Sequence, residues 1–131
     1  IFVGGGVAHG PKGAVYRIKK INKKVRKLAL AHTLSKKNSD KNLFVLTDVK
    51  KEIKKTKEFN NFLKKNNLLN VIIISDLETL KNINKSARNI KDLKIINDAG
   101  ANIYDMMKYK NVLLTQSSVK NLEKRILNEK N

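Results

Sequence analysis

Residues 70–89 read NVIIISDLETLKNINKSARN. Val71-Ile72-Ile73-Ile74 is an unbroken β-branched run, the pattern of a strand covered on both faces. Ser75 followed by Glu78 has capping-box spacing. It predicts a helix start, with Leu77, Leu80, Ile83 and Ala87 as the buried stripe and an end near Arg88-Asn89. The same alternation continues outward in both directions. Upstream, Leu43 to Thr47 reads as a strand. A loop through residues 50–55 leads into a helix burying Phe59, Phe62 and Leu63. Downstream, Leu93 to Ile96 is a strand, Asp98-Ala99-Gly100 a turn, and Ile103, Met106 and Met107 mark a short helix with both methionines in the core. Val112 to Leu114 is the last strand, followed by a helix carrying Val119, Leu122 and Ile126. Four strands near 43–47, 70–75, 93–97 and 111–115, each separated by a helix, require crossover connections. The expected fold class is α/β, a three-layer α/β/α domain with a four-stranded parallel sheet.

The N-terminal third follows another logic. Residues 1–39 hold ten Lys/Arg and no Asp or Glu, against a net charge of +18 for all 131 residues. Ile1 to Val3 is a short strand or an extended lead-in. Gly4 to Gly13 is a glycine-rich loop punctuated by Pro11, and Val15 to Ile21 a basic connector. A helix then runs from Asn22, as N-cap, to about Lys37. Val25, Leu28, Ala29 and His32 share one stripe of it, with Leu30 and Leu34 nearly opposite, so the helix is expected to be sandwiched and His32 to be a core histidine. Lysine, asparagine and isoleucine share A/T-rich codons, and the chain holds 17 asparagines. Codon bias therefore explains part of the charge, but not the missing acids before residue 40. Glycines that let backbone approach closely, joined to a basic helix without acids, predict a nucleic-acid contact surface. We divide the chain into a contacting segment, 1–21, and a globular domain, 22–131. The opening Ile1-Phe2-Val3 without an initiator Met leads us to expect the C-terminal part of a longer protein.

Several chemistries are disfavoured. Gly5 and Gly10 have P-loop spacing, but Pro11 stands where the lysine belongs; Gly4-x-Gly6 meets His9 where a dinucleotide fingerprint needs glycine. There is no cysteine, only two histidines, and no apolar run long enough to span a membrane. The competing enzyme reading places Asp48, Asp76 and Asp98 at the strand ends as Mg²⁺ ligands for phosphoryl transfer or nucleotide binding, with Thr115 as an accessory hydroxyl. Each strand end supplies a single acid, which serves equally well as a local helix cap. No cofactor, metal or small-molecule substrate is expected.

Beyond these readings, the chain resembles a known family, ribosomal protein L-four of the large subunit in its bacterial and organellar form. The likeness runs from Gly4-Gly5-Gly6-Val7-Ala8-His9-Gly10-Pro11-Lys12 through Asn22-Lys23-Lys24-Val25-Arg26-Lys27-Leu28-Ala29-Leu30. It continues through Lys55-Thr56-Lys57-Glu58-Phe59, Ser86-Ala87-Arg88-Asn89, Ala99-Gly100-Ala101-Asn102-Ile103-Tyr104-Asp105, and Leu113-Leu114-Thr115 with Val119. The resemblance implies a non-enzymatic ribosomal-RNA-binding constituent of the large subunit, a four-stranded parallel α/β/α fold, and neighbouring ribosomal proteins as partners. The His9 to Gly13 continuation is similar to mitochondrial members, which implies a mitochondrial ribosome; a plastid-type organelle or a bacterium with an A/T-rich genome is the alternative. The expected RNA contacts begin with the backbone of Gly4, Gly5, Gly6 and Gly10 and with His9, which stacks, hydrogen-bonds or holds the turn. Lys12, Arg17, Lys19 and Lys20 neutralise phosphates along the connector, and Lys23, Lys24, Arg26 and Lys27 extend the patch along the helix start. Lys57 and Arg88 lie in the resembling segments and complete the set. Such contacts position a protein on RNA by shape and charge.

Overall fold

The computed structural model describes residues 3–6, 10, 19–47 and 55–127. Its centre is β2 (Val71–Ser75), in which every residue is buried. β2 pairs in parallel with β3 (Leu93–Asn97) on one side and with β4 (Asn111–Thr115) on the other; β1 (Leu43–Leu46) pairs with β4 at the edge. The strand order is therefore β1-β4-β2-β3.

Alternation along β2 and β4 divides the core in two. Ile72, Ile74, Val112 and Leu114 face α1 (Lys23–Ser39), α4 (Ile103–Lys108) and α5 (Gln116–Leu127), packing with Leu30, Ala101, Met106 and Leu122. Val71, Ile73 and Leu113 face α2 (Thr56–Lys65) and α3 (Leu77–Ala87), packing with Phe59, Leu63, Leu68, Ile83 and Ala87. This is the three-layer α/β/α arrangement. Each fully buried aliphatic side chain contributes about 1.5–3 kcal/mol of transfer free energy, so the β-branched run of β2 is the densest stabilising element in the chain.

Five sequence expectations change. Ser75 does not open a capping box: β2 extends through it in register with Asn97, it is fully buried, and Asp76 takes the N-cap position. α1 is buried on one side only. Leu30, Thr33 and Lys37 form that face, while Val25 (52% exposed), Leu28 (59%) and His32 lie outward, because α1 is an outer-layer helix packed on α4 and α5. In α3 the small residues Thr79, Ser86 and Ala87 join Ile83 against the sheet, and Leu77, in the first turn, is exposed. Phe62 stands at the rim, its ring 6.3 Å from that of Phe59, and Met107 points away from the core that Met106 fills, since α4 is six residues long and has one inner face.

Left-handed residues stand just ahead of three strands: Lys41 (φ 57°) before β1, Asn70 (φ 53°) before β2 and Asp92 (φ 58°) before β3. Asn and Asp tolerate this conformation; lysine does so at a cost of about 1–2 kcal/mol. Lys41→Gly should therefore raise stability by up to about 1 kcal/mol, read as a higher urea midpoint at unchanged m-value. A lowered midpoint would show that the Lys41 side chain contributes more than its backbone strain costs.

Candidate nucleic-acid interface

The first turn of α1 contains Lys23, Lys24 and Arg26 with no acid, and Asn22 makes no side-chain cap. Cations at a helix N-terminus oppose the positive end of the helix dipole, at about 0.3–1 kcal/mol each. This arrangement costs local stability and concentrates positive potential at one point, where backbone N–H groups also face outward.

The helix geometry decides where these charges go. Lys23, Arg26 and Lys27 lie on the same side of α1 as buried Leu30, so they overhang the domain at the end where the apolar face runs out. With Leu30 they line a groove of about 400 Å³ whose other wall is Ala101, Asn102, Ile103 and Arg125. Lys24 lies outside this groove, near the exposed Val25–Leu28 face. Among the described residues Lys23, Arg26 and Lys27 have no ion pair.

The far wall is rigidly built. Asn102 caps α4 by accepting from the Asp105 backbone N–H (2.8 Å), and its own amide donates to Asp105 Oδ2 (2.8 Å). Lys94 Nζ donates to both Asp105 carboxylate oxygens at 2.7 Å. These hydrogen bonds from Lys94 and then Asn102 outweigh burial and hold the Asp105 carboxyl below its ordinary value. Arg125 Nη1 donates to the carbonyls of Asp98 (3.0 Å) and Ala101 (3.2 Å), which fixes the guanidinium beside the groove. Neither Arg125 nor Asp105 was singled out in the sequence. The Asn102-x-x-Asp105 spacing was a legible capping signal; the position of Arg125, brought in from α5, was not.

The remaining expected contacts are scattered. Lys19 and Lys20 are exposed. Gly4 (φ +86°) and Gly5 (φ +68°) adopt backbone that side-chain-bearing residues rarely take; Gly6 is exposed and Gly10 half-buried. His9, Lys12 and Arg17 lie outside the described residues. Lys57, at the start of α2, lines a shallow depression with Asn60, Asn89 and Lys91, on the opposite face of the sheet from α1; exposed Arg88 is the C-cap of α3. The structure thus brings Lys23, Arg26 and Lys27 together and separates them from Lys57 and Arg88. Lys37, one of the ten N-terminal cations, is structural: nearly buried, its Nζ donates to the carbonyls of Tyr109 (2.7 Å) and Lys110 (3.1 Å).

Asp76 and Asp98, the described aspartates of the enzyme reading, have local duties. Asp98 Oδ1 accepts from the Ala99 N–H and Oδ2 from Asn121. Asp76 occupies the α3 N-cap position, and although burial pushes its carboxyl up, the hydroxyls of Thr79 and Ser117 bring it net below its ordinary value. Asp48 lies outside the described residues. Thr115 is buried. No group of three or more His, Cys, Asp or Glu among the described residues could hold a metal, and no helix among them is long and apolar enough to cross a membrane.

Fold and groove define a parallel α/β domain that carries a basic helix start with no acid in its first turn. Residues 1–125 match the model of the Ribosomal protein L4/L1 family, and the chain belongs to that family. It is 45% identical over 126 residues to the large ribosomal subunit protein uL4 of Pelagibacter ubique, covering 95% of this chain and 61% of that protein. The corresponding proteins of Geotalea uraniireducens and Rickettsia akari are 36% and 40% identical, covering 93% and 94% of this chain. The chain spans 58% and 59% of those two relatives.

Because Asp105 is held ionised below the ordinary carboxylate range, its contribution is present above pH about 4 and is lost as pH falls through the depressed folded value. In urea titrations at pH 2–7, Asp105→Asn should be less stable than wild type at pH 7, with the difference closing in acid. A gap independent of pH would mean the Lys94–Asp105 pair adds nothing through charge.

Proposed function

We propose that this chain is a non-enzymatic, RNA-binding structural constituent of the large ribosomal subunit, contacting ribosomal RNA and neighbouring ribosomal proteins and supporting subunit assembly. The observation that carries this reading is the first turn of α1, where Lys23, Arg26 and Lys27 converge on one groove with Arg125, against the helix dipole and, among the described residues, without an ion pair for the three α1 cations. A polyanion removes both penalties. Lys24, Lys19 and Lys20 extend the charge away from the groove, and segment 1–21, with Gly4, Gly5, Gly6, His9, Gly10, Lys12 and Arg17, continues the contact surface beyond domain 22–131. Lys57 and Arg88, on the other layer, serve a second RNA segment. The large-subunit names of the relatives support the assignment.

We place the protein in a mitochondrial ribosome on the His9 to Gly13 continuation and the Lys/Asn-rich composition. The relatives named above are bacterial, so a bacterial ribosome is the competing location. Recovery from protease-treated, intact mitochondria supports the first, and absence from them supports the second.

Reversing Lys23, Lys24, Arg26 and Lys27 to Glu should weaken binding to large-subunit RNA by roughly 100-fold or more and flatten log K against log salt by about three. Because acids suit a helix N-terminus, the variant should melt no lower than wild type. A folded variant with unchanged affinity and slope would remove the patch from the interface.

A further inference from the structure

The groove at the start of α1 is not a simple phosphate track. Its rim is cationic, from Lys23, Arg26, Lys27 and Arg125, but its floor is apolar, from Leu30, Ala101 and Ile103. A bare phosphate gains nothing from such a floor. At about 400 Å³ the groove falls within the roughly 300–1,000 Å³ of pockets that seat small organic groups. Its chemistry fits a flat apolar body carrying a negative charge. We propose that it receives a single unstacked nucleotide of the bound RNA, with the base on the apolar floor and the phosphate among the α1 cations.

Arg125 gives this seat its geometry. Its Nη1 is tied to the Asp98 and Ala101 carbonyls, so the guanidinium plane is held in place beside the floor and offers a cationic stacking face. The Lys94–Asp105–Asn102 network holds the backbone of the same wall. Asn102, the one polar side chain among the groove's uncharged residues, already donates to Asp105 and Gly100 and accepts from the Asp105 N–H. Both Asn102 N–H donors are therefore engaged, and Leu30, Ala101 and Ile103 carry no polar side-chain atom to read a base edge. The seat selects a splayed nucleotide by stacking and charge, and bases of all four kinds should occupy it comparably. Aromatic residues are scarce in the chain, so an arginine plane over aliphatic side chains takes the role that aromatic platforms have elsewhere. This inference rests on the RNA-binding reading above.

The test uses the full chain with methyl-labelled Leu, Ile and Ala, titrated with inorganic phosphate, with AMP and UMP, and with two RNA duplexes differing by one bulged nucleotide. Both mononucleotides should shift the methyl signals of Leu30, Ala101 and Ile103, and inorganic phosphate should not. The bulged duplex should bind about tenfold more tightly than the paired one, the low end of what one stacked base contributes. Arg125→Lys, which keeps the charge but loses the plane, should remove that preference while duplex binding persists. Lys24→Gln, outside the groove, should weaken both duplexes equally and keep the preference. Equal binding of the two duplexes with the three methyl groups unmoved would overturn the nucleotide seat and leave RNA binding standing. Loss of all RNA binding by wild type would overturn both. An oligo-aspartate peptide that moves the same methyl groups and displaces the bulged RNA stoichiometrically would reassign the groove to an acidic protein segment.

Discussion

A strand buried on both faces cannot stand alone, and β2 imposes that constraint on every other element. Its even and odd residues each need an apolar layer, so the chain must supply helices to both sides of the sheet. α2 and α3 cover one side. The other receives α4, only six residues long, together with α5, and that leaves a gap which α1 fills by placing Leu30 and the half-buried Leu34 against them. The basic helix is thus part of the core by necessity, and its charged end is oriented by the same packing that closes the layer.

That coupling explains how a structural helix presents a cationic surface. α1 is longer than the layer it completes, so its C-terminal half is anchored and its first turn overhangs. At the anchored end Lys37 spends its charge on the Tyr109 and Lys110 carbonyls. At the overhanging end, on the same side of the helix, Lys23, Arg26 and Lys27 have no ion pair among the described residues, and Arg125 donates to the Asp98 and Ala101 carbonyls. One helix face therefore changes from core to cationic groove along its length. The stable part sets the geometry of the costly part.

Much of this is legible in the sequence. The alternation of apolar runs and helical stripes carried the strand positions to within a residue or so, because a parallel sheet buried on both faces writes its interior as continuous β-branched segments. The acid-free N-terminal third pointed to a polyanion, because no local structure rewards it. What escaped was set by three-dimensional neighbours. His32, Val25 and Leu28 have core-like spacing, yet nothing among the described elements covers them. Ser75 has the spacing of a capping box, but sheet register claimed it for β2. Arg125 carries no local signal at all; only the packing of α5 on the turn at Asp98–Gly100 brings it to the groove. The sequence ranked the cations at the α1 start together, whereas helix geometry separates Lys24 from Lys23, Arg26 and Lys27.

The α1 cations and the glycine-rich segment are the proposed attachment of this domain to a large ribosomal subunit. The most direct measurement is sedimentation of the native protein from its own cells through a high-salt sucrose gradient. Co-migration with large subunits, and its loss in the variant bearing glutamates at 23, 24, 26 and 27, is the result the account predicts. Native protein that stays at the top of the gradient, free of subunits, would contradict it.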